Sequence, residues 1–196
     1  LEFRRVLFRS DMGFDVTGID LSEPSIKEAL KKESGNLHFF VHDMRLPFYI
    51  NYFEYAFNFF TSFGYFNTRR ENDDAIRTIA KSLKANGILV IDYLNVHFTQ
   101  NNLVKNESTI IEGVNFRITR WHNEDYFFKQ IQIEQPGHPV KHIYTEKVSK
   151  FSLGDFTDML SYQNLQVQQV YGDYQLGHYD VKKSPRIIII AKKIVR

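Results

Sequence analysis

DVTGIDLS, Asp15–Ser22, is the stretch from which the rest of the chain is read. Val16–Ile19 is a short β-rich run closed by an acid, Asp20, and Ser22 then opens a helical pattern. Serine suits that position because its hydroxyl accepts a backbone N–H of the first turn, and Pro24 sits where a missing N–H has no helical partner to lose. Ile26, Ala29 and Leu30 set an apolar stripe at i, i+3, i+4 along Glu23–Lys32, and Ser34-Gly35-Asn36 ends the helix. Strand, acid, cap, helix is the building unit of an α/β protein.

The unit recurs downstream. Leu37–His42 is a second apolar strand followed by an acid, Asp43, and Phe53–Phe60 is a third, with YAFNFF at its centre, running into Thr61-Ser62-Phe63-Gly64. Glu71–Lys84 reads as a helix with Ala75, Ile76, Ile79, Ala80 and Leu83 on one face and Asn86-Gly87 as its stop. Ile88–Leu94 is almost continuously apolar, the pattern of a strand covered on both faces. The alternation predicts a doubly wound, mostly parallel Rossmann-like sheet. In such folds an acid at the end of the second strand accepts hydrogen bonds from the ribose hydroxyls of a bound nucleotide.

After Asn95 the pattern changes. Thr109–His122, Asp125–Gln135 and Val140–Phe151 alternate polar and apolar residues, with breaks at Asn123-Glu124 and Pro136–Pro139. They predict an antiparallel β insertion at about 105–151. Ser152 caps a helix through about Ser161, with Phe156, Met159 and Leu160 on its apolar face. Leu165–Tyr171 and Arg186–Lys192 close the chain as strands, and the wholly apolar Ile187–Ile190 places the last one in the sheet interior.

Composition narrows the classes. A chain of 196 residues with 43% hydrophobic content suits a single domain, read here as 11–196. Its 25 Lys and Arg against 23 Asp and Glu are scattered, so no nucleic-acid partner is indicated. Without cysteine there is no disulfide, no thiolate nucleophile and no thiolate metal site, and His38 and His42 share a strand face too far apart to chelate. No apolar run approaches the roughly 20 residues of a membrane span. A soluble cytoplasmic chain, monomer or homodimer, is expected. The first ten residues, LEFRRVLFRS, lack the apolar segment and cleavage site of a signal peptide. They read as a translated adaptor or cloning junction at 1–10, joined to native-looking text near Asp11, and are set aside from fold reasoning.

Taken in order, DVTGIDLS (Asp15–Ser22), FVHDMRLPF (Phe40–Phe48), NFFTSFGYF (Asn58–Phe66) and LKANGILVIDYLN (Leu83–Asn95) resemble the second to fifth strands and adjoining segments of the class I S-adenosylmethionine-dependent methyltransferases of small-molecule type. The tail GDYQLGHYDVKKSPRIIIIAKK (Gly172–Lys193) resembles that family's last two strands, the final one antiparallel. The resemblance implies S-adenosyl-L-methionine as cofactor, with Asp20 on the ribose beside Leu21, Asp43 and Met44 at the adenine, and Asn58 and Phe60 at the methionine end. It implies a small-molecule acceptor near Phe63 and Tyr65, with Tyr179, Ser184 and Arg186 at the mouth. No dedicated base is required for a good nucleophile; His97, Tyr65 and His122 are the candidate proton acceptors.

The family's glycine-rich first loop has no counterpart here, and Arg4–Met12 falls where the helix before the second strand runs. The expectation is therefore an N-terminally truncated sheet lacking its first strand. Plainer readings stand beside these: Asp20 as a helix cap, Asp43 as a loop acid, Asn58 bonded to neighbouring backbone, and the Phe60–Tyr65 aromatics as core. Two rivals remain, a nicotinamide-dependent Rossmann oxidoreductase and a non-catalytic binding or scaffold protein with a degenerate cofactor site. The helix, strand, turn, strand order of the tail favours the methyltransferase.

Overall fold

The computed structural model describes residues 4–134 and 142–194, with side chains from residue 8 onward. The break expected at Pro136–Pro139 lies outside the described residues. The residues set aside at the start take part in the fold: Arg4–Asp11 form α1, where Ser10 is buried and its carbonyl accepts from Asn36 Nδ2 at 2.8 Å. From there β1 (Val16–Asp20), α2 (Glu23–Leu30) and β2 (Leu37–Val41) form a parallel crossover unit, Val16 opposite Leu37 and Asp20 opposite Val41. Ser22 caps α2 as read, its Oγ accepting from Ser25 N. Ile26 and Ala29 from the helix and Leu37 and Phe39 from the strand make a small core.

The larger body begins with β3 (Phe53–Asn58), α3 (Arg69–Ser82) and β4 (Leu83–Leu94), the two strands parallel. Thr68 and Glu71 form a reciprocal capping box, which starts α3 two residues before the expected Glu71. β4 likewise starts earlier than Ile88. Asn86 takes a left-handed φ of 64°, and pairing jumps from Phe53–Leu83 to Tyr55–Ile88, so the expected turn is a bulge inside the strand. A short helix absent from the sequence reading, α4 (Val96–Asn101), follows, capped by Asn95, whose side chain accepts from His97 N.

β5 (Asn106–Ile111), β6 (Val114–His122), β7 (Tyr126–Glu134) and β8 (His142–Ser149) form a separate antiparallel meander, the expected insertion. Thr109–His122 is a hairpin and not one strand, because Glu112 and Gly113 both take positive φ and close a two-residue turn. The chain returns through α5 (Leu153–Ser161), β9 (Leu165–Tyr171) and β10 (Arg186–Lys193). The main sheet order is β3-β4-β10-β9, with β10 antiparallel to both neighbours and interior as its apolar run predicts.

One face of this sheet carries the main core. Leu89, Ile91 and Tyr93 of β4 and Ile187, Ile189 and Ala191 of β10 alternate inward to meet Ala75 and Ile76 of α3 and Phe156, Met159 and Leu160 of α5. Each large apolar side chain buried there stabilises the fold by about 1.5–3 kcal/mol. The parallel strands thus lie in two pieces, β1-β2 and β3-β4, in separate sheets. They are joined indirectly: Thr78 of α3 donates to the Met44 carbonyl after β2, and the Arg9 guanidinium of α1 lies 4.5 Å from the Phe57 ring centre of β3.

Candidate active site at the carboxyl ends of the parallel strands

β3 ends in a turn that L-residues avoid. Phe60 and Thr61 are consecutive non-glycine residues with φ of 56° and 60°, a conformation disfavoured by roughly 1–2 kcal/mol per residue. Such strain persists only where the surroundings enforce it, and it clusters at functional sites. Asp92 of β4, 1% exposed, is the enforcing residue. Its Oδ2 accepts from Phe60 N at 2.8 Å and from the Tyr174 hydroxyl at 3.0 Å, and its backbone carbonyl accepts from Thr61 N at 3.0 Å. Arg186, the first residue of β10, donates Nε to Asp92 Oδ1 at 2.7 Å and Nη2 to Thr61 Oγ1 at 3.0 Å.

The next residue of β4 holds the other end of the same loop. Gly64 has a φ of 90°, and a Cβ there would run into the Tyr93 hydroxyl, so glycine is required on both counts. Adjacent to these, Asn95 is fully buried and donates to the carbonyls of Val181 and Ser184 at 3.0 and 2.8 Å, pinning the loop that leads into β10. Of these residues Phe60 and Arg186 entered the sequence reading as site residues. Asp92 was legible as one acid inside an apolar strand, ILVIDYL, facing the single arginine that opens IIII.

Asp20 sits at the end of β1, half-buried. Its Oδ1 accepts from Ser22 N at 2.8 Å, and Oδ2 has no partner among the described residues. Leu21 beside it is exposed. Asp43 is held by Arg45: Oδ1 accepts from Arg45 N and Nε, Oδ2 from Nε and Nη2, and Arg45 also reaches Glu71 Oε1 at 2.5 Å. These bonds hold the Asp43 carboxyl below the usual carboxylate range. Met44 packs against the main core. Asn58, 7% exposed, buries a side-chain oxygen that finds no hydrogen-bond partner among the described residues.

Among the acceptor-side residues, Phe63 is fully buried with its ring 5.9 Å from Phe151 and 5.7 Å from Phe156, which places it in the core. Phe60 and Tyr65 are the half-exposed aromatics of that loop. Tyr179 packs on the main core, and burial pushes its phenol up. Arg186 is engaged with Asp92 and Thr61, and Ser184 Oγ accepts from Asp180 N. His97 is exposed on α4, and exposed His122 lies with its Nδ1 3.2 Å from Lys150 Nζ. The structure thus brings Phe60, Thr61, Asp92, Tyr174 and Arg186 together, while Asp20 and Asp43 stand at the ends of the separate β1-β2 sheet. The orphaned Asn58 oxygen and the second oxygen of Asp20 are acceptors of the kind that hydroxyl- and amine-bearing groups of S-adenosylmethionine require, so these residues fit that cofactor.

Among the described residues no helix is long and apolar enough to cross a membrane, and no cluster of His, Asp and Glu forms a metal site. A family model described as a methyltransferase domain matches residues 3–135. No curated protein matches the chain. Solved structures do. The CcbJ methyltransferase from Streptomyces caelestis aligns with a TM-score of 0.80 at 15% identity, covering 95% of this chain and 78% of that one. A S-adenosylmethionine-dependent methyltransferase from Clostridium acetobutylicum aligns with a TM-score of 0.78 at 15% identity over 91% and 75%. CalS10 from Micromonospora echinaspora, an amino pentose methyltransferase solved with its methyl donor bound, aligns with a TM-score of 0.65 at 15% identity over 91% and 73%. At these identities the likeness speaks to the fold, and the family model speaks to descent. The chain belongs to the methyltransferase-domain family and has the fold of the S-adenosylmethionine-dependent class I enzymes.

Proposed function

We propose that this chain moves a methyl group from S-adenosylmethionine to a small-molecule acceptor where β1, β2 and β3 end. The observation that carries this reading is the buried oxygen of Asn58 at the end of β3, without a partner among the described residues and one residue before Phe59 and the strained turn. An acceptor atom left unsatisfied in a core strand is unfavourable by about 1–3 kcal/mol unless a ligand supplies the donor.

Bound S-adenosylmethionine supplies a methyl group already activated on a sulfonium, so the chain's task is alignment within near-attack distance. Asp20, with Leu21 beside it, is assigned to the ribose, Asp43 and Met44 to the adenine, and Asn58 and Phe60 to the methionine end. For Asp43 to accept an adenine N–H, Arg45 gives up one of its hydrogen bonds. The half-exposed rings of Phe60 and Tyr65 offer π-faces to a cation, an effect of about 0.5–2 kcal/mol. Tyr65 or His97 takes the acceptor's proton where the nucleophile is an amine or hydroxyl. CalS10, described as an amino pentose methyltransferase, supports a small-molecule acceptor. The protein acts as a monomer or homodimer in the cytoplasm, as one domain over 11–196 whose β5–β8 insertion lies after β4 and shapes access for the acceptor.

The test is calorimetric titration of S-adenosylhomocysteine into the chain and into Asp20→Ala. Saturable binding that falls at least about tenfold in the variant, near 1.4 kcal/mol, is the expected result. No binding by the folded chain overturns the reading, and equal affinities remove Asp20 from the ribose.

A further inference from the structure

We propose that Asp92 is a positioning residue for methyl transfer: its buried carboxylate, paired with Arg186, forces the Phe60–Thr61 turn into the left-handed shape that sets the floor of the donor site. The inference rests on the reading of the β3 end as that site.

Asp92 stands where the fold itself gives no reason for an acid. Asp92 follows Ile91 in a strand whose neighbours on both sides are apolar, and a carboxylate buried in a strand is unfavourable unless it is paired and fully bonded. Here it is bonded, and none of its side-chain donors comes from the helices packed on the sheet. They are Phe60 N from the turn, the Tyr174 hydroxyl from the β9–β10 loop, and Arg186 from the first residue of β10. The Asp92 backbone adds a bond from Thr61 N, and Arg186 closes the ring on Thr61 Oγ1. Both residues of the turn are therefore gripped, one by the side chain and one by the main chain of the same aspartate.

The choice of residues in the turn points the same way. Positive φ is ordinarily given to glycine, and the chain does so at Gly64, where a side chain would collide with Tyr93. At position 60 it keeps a phenylalanine in a disfavoured conformation, the residue 42% exposed and its ring 6.3 Å from that of Tyr174. A side chain is wanted there, in a direction only a left-handed backbone gives, and Asp92 enforces that backbone.

The experiment uses the chain with Asp92→Asn, and then Asp92→Asn with Thr61→Gly. Amide exchange by NMR reads the turn, and titration with S-adenosylhomocysteine reads the site. Expected for the single variant are unchanged protection at Leu89 and Ile189, exchange at Phe60 faster by about tenfold or more, and affinity weaker by about tenfold. Adding Thr61→Gly lowers the strain of the turn beside Phe60, while the main-chain carbonyl of residue 92 still accepts from the amide of residue 61, and it recovers at least about threefold of the lost affinity. A residue that only supports the core, or that touches the ligand itself, is not rescued by glycine in the turn. Should Asp92→Asn not fold, Arg186→Lys keeps the charge on Asp92 but loses the fork that spans Asp92 and Thr61, and it shows a smaller change of the same sign. Unchanged exchange at Phe60 and Thr61, or an affinity loss that glycine does not recover, overturns the proposal. Failure of the donor-site reading is distinct, since the unaltered chain then binds no S-adenosylhomocysteine at all.

Discussion

The Tyr93 hydroxyl donates to the backbone carbonyl of Ser149, and Ser149 N in turn donates to the carbonyl of Gly64 at 2.8 Å. The last residue of the insertion is thereby fastened to the central strand β4 and to the loop after β3. Tyr93→Phe leaves a buried carbonyl with one donor fewer while keeping the ring against Phe151 and Phe156. Urea unfolding should show a loss of about 1–3 kcal/mol. Exchange at the Ser149 amide should rise more than exchange at Leu89. Equal protection at both residues would mean that the insertion is held by other contacts.

The same tyrosine gives the fold an alkaline limit. Burial pushes the Tyr93 phenol far above its ordinary value of about 10, so folded Tyr93 stays neutral where the unfolded chain has already released the proton. Its stabilising contribution is complete below about pH 10 and declines as pH rises beyond that. Unfolding midpoints between pH 8 and pH 11 should fall less steeply in Tyr93→Phe than in the unaltered chain. Parallel curves would assign the alkaline loss to other groups.

Asp43 sets a limit on the acid side. Arg45 holds its carboxyl below the usual range, so the contribution is present above the unfolded value of about 3.9 and lost as pH falls through the lower folded value. The Asp43 side chain is 17% exposed and that of Arg45 34%, which leaves the pair partly screened. Asp43→Asn should lower stability by about 1 kcal/mol at pH 7. The two proteins should converge as pH falls through the lowered folded value, once Asp43 is protonated in both the folded and the unfolded chain. A difference that persists there would indicate a packing role.

The elements most legible in the sequence were those whose boundaries rest on local chemistry. Ser22 and Pro24 set the start of α2, and Ser152 set the start of α5, because a cap acts within one turn. Glu112 hid a hairpin, since glutamate carries no turn signal and only its tertiary pairing forces φ to 49°. Phe63 shows the opposite case. It lies in a loop, where ligand contact is the usual inference, yet α5 and the end of β8 close over it, a burial that depends on residues nearly a hundred positions away. Asp92 and Arg186 are 94 positions apart and meet only because β10 runs antiparallel to β4. No local pattern announces such a pair, although an acid in an apolar strand is a mark to look for.

Asn58 separates what the fold needs from what the site needs. It is 7% exposed at the end of β3, opposite Ile91, and its oxygen has no partner among the described residues. Were the amide there for stability, an apolar replacement would destabilise. If it serves a ligand, Asn58→Leu removes an unsatisfied buried acceptor, and stability without ligand should hold or rise by up to about 1 kcal/mol. The affinity for S-adenosylhomocysteine should fall in the same protein by about fivefold to tenfold, the worth of one hydrogen bond. Urea unfolding and calorimetric titration on a single preparation read both quantities. A drop in stability with affinity intact would return Asn58 to a purely structural role and leave the end of β3 without its acceptor for the methyl donor.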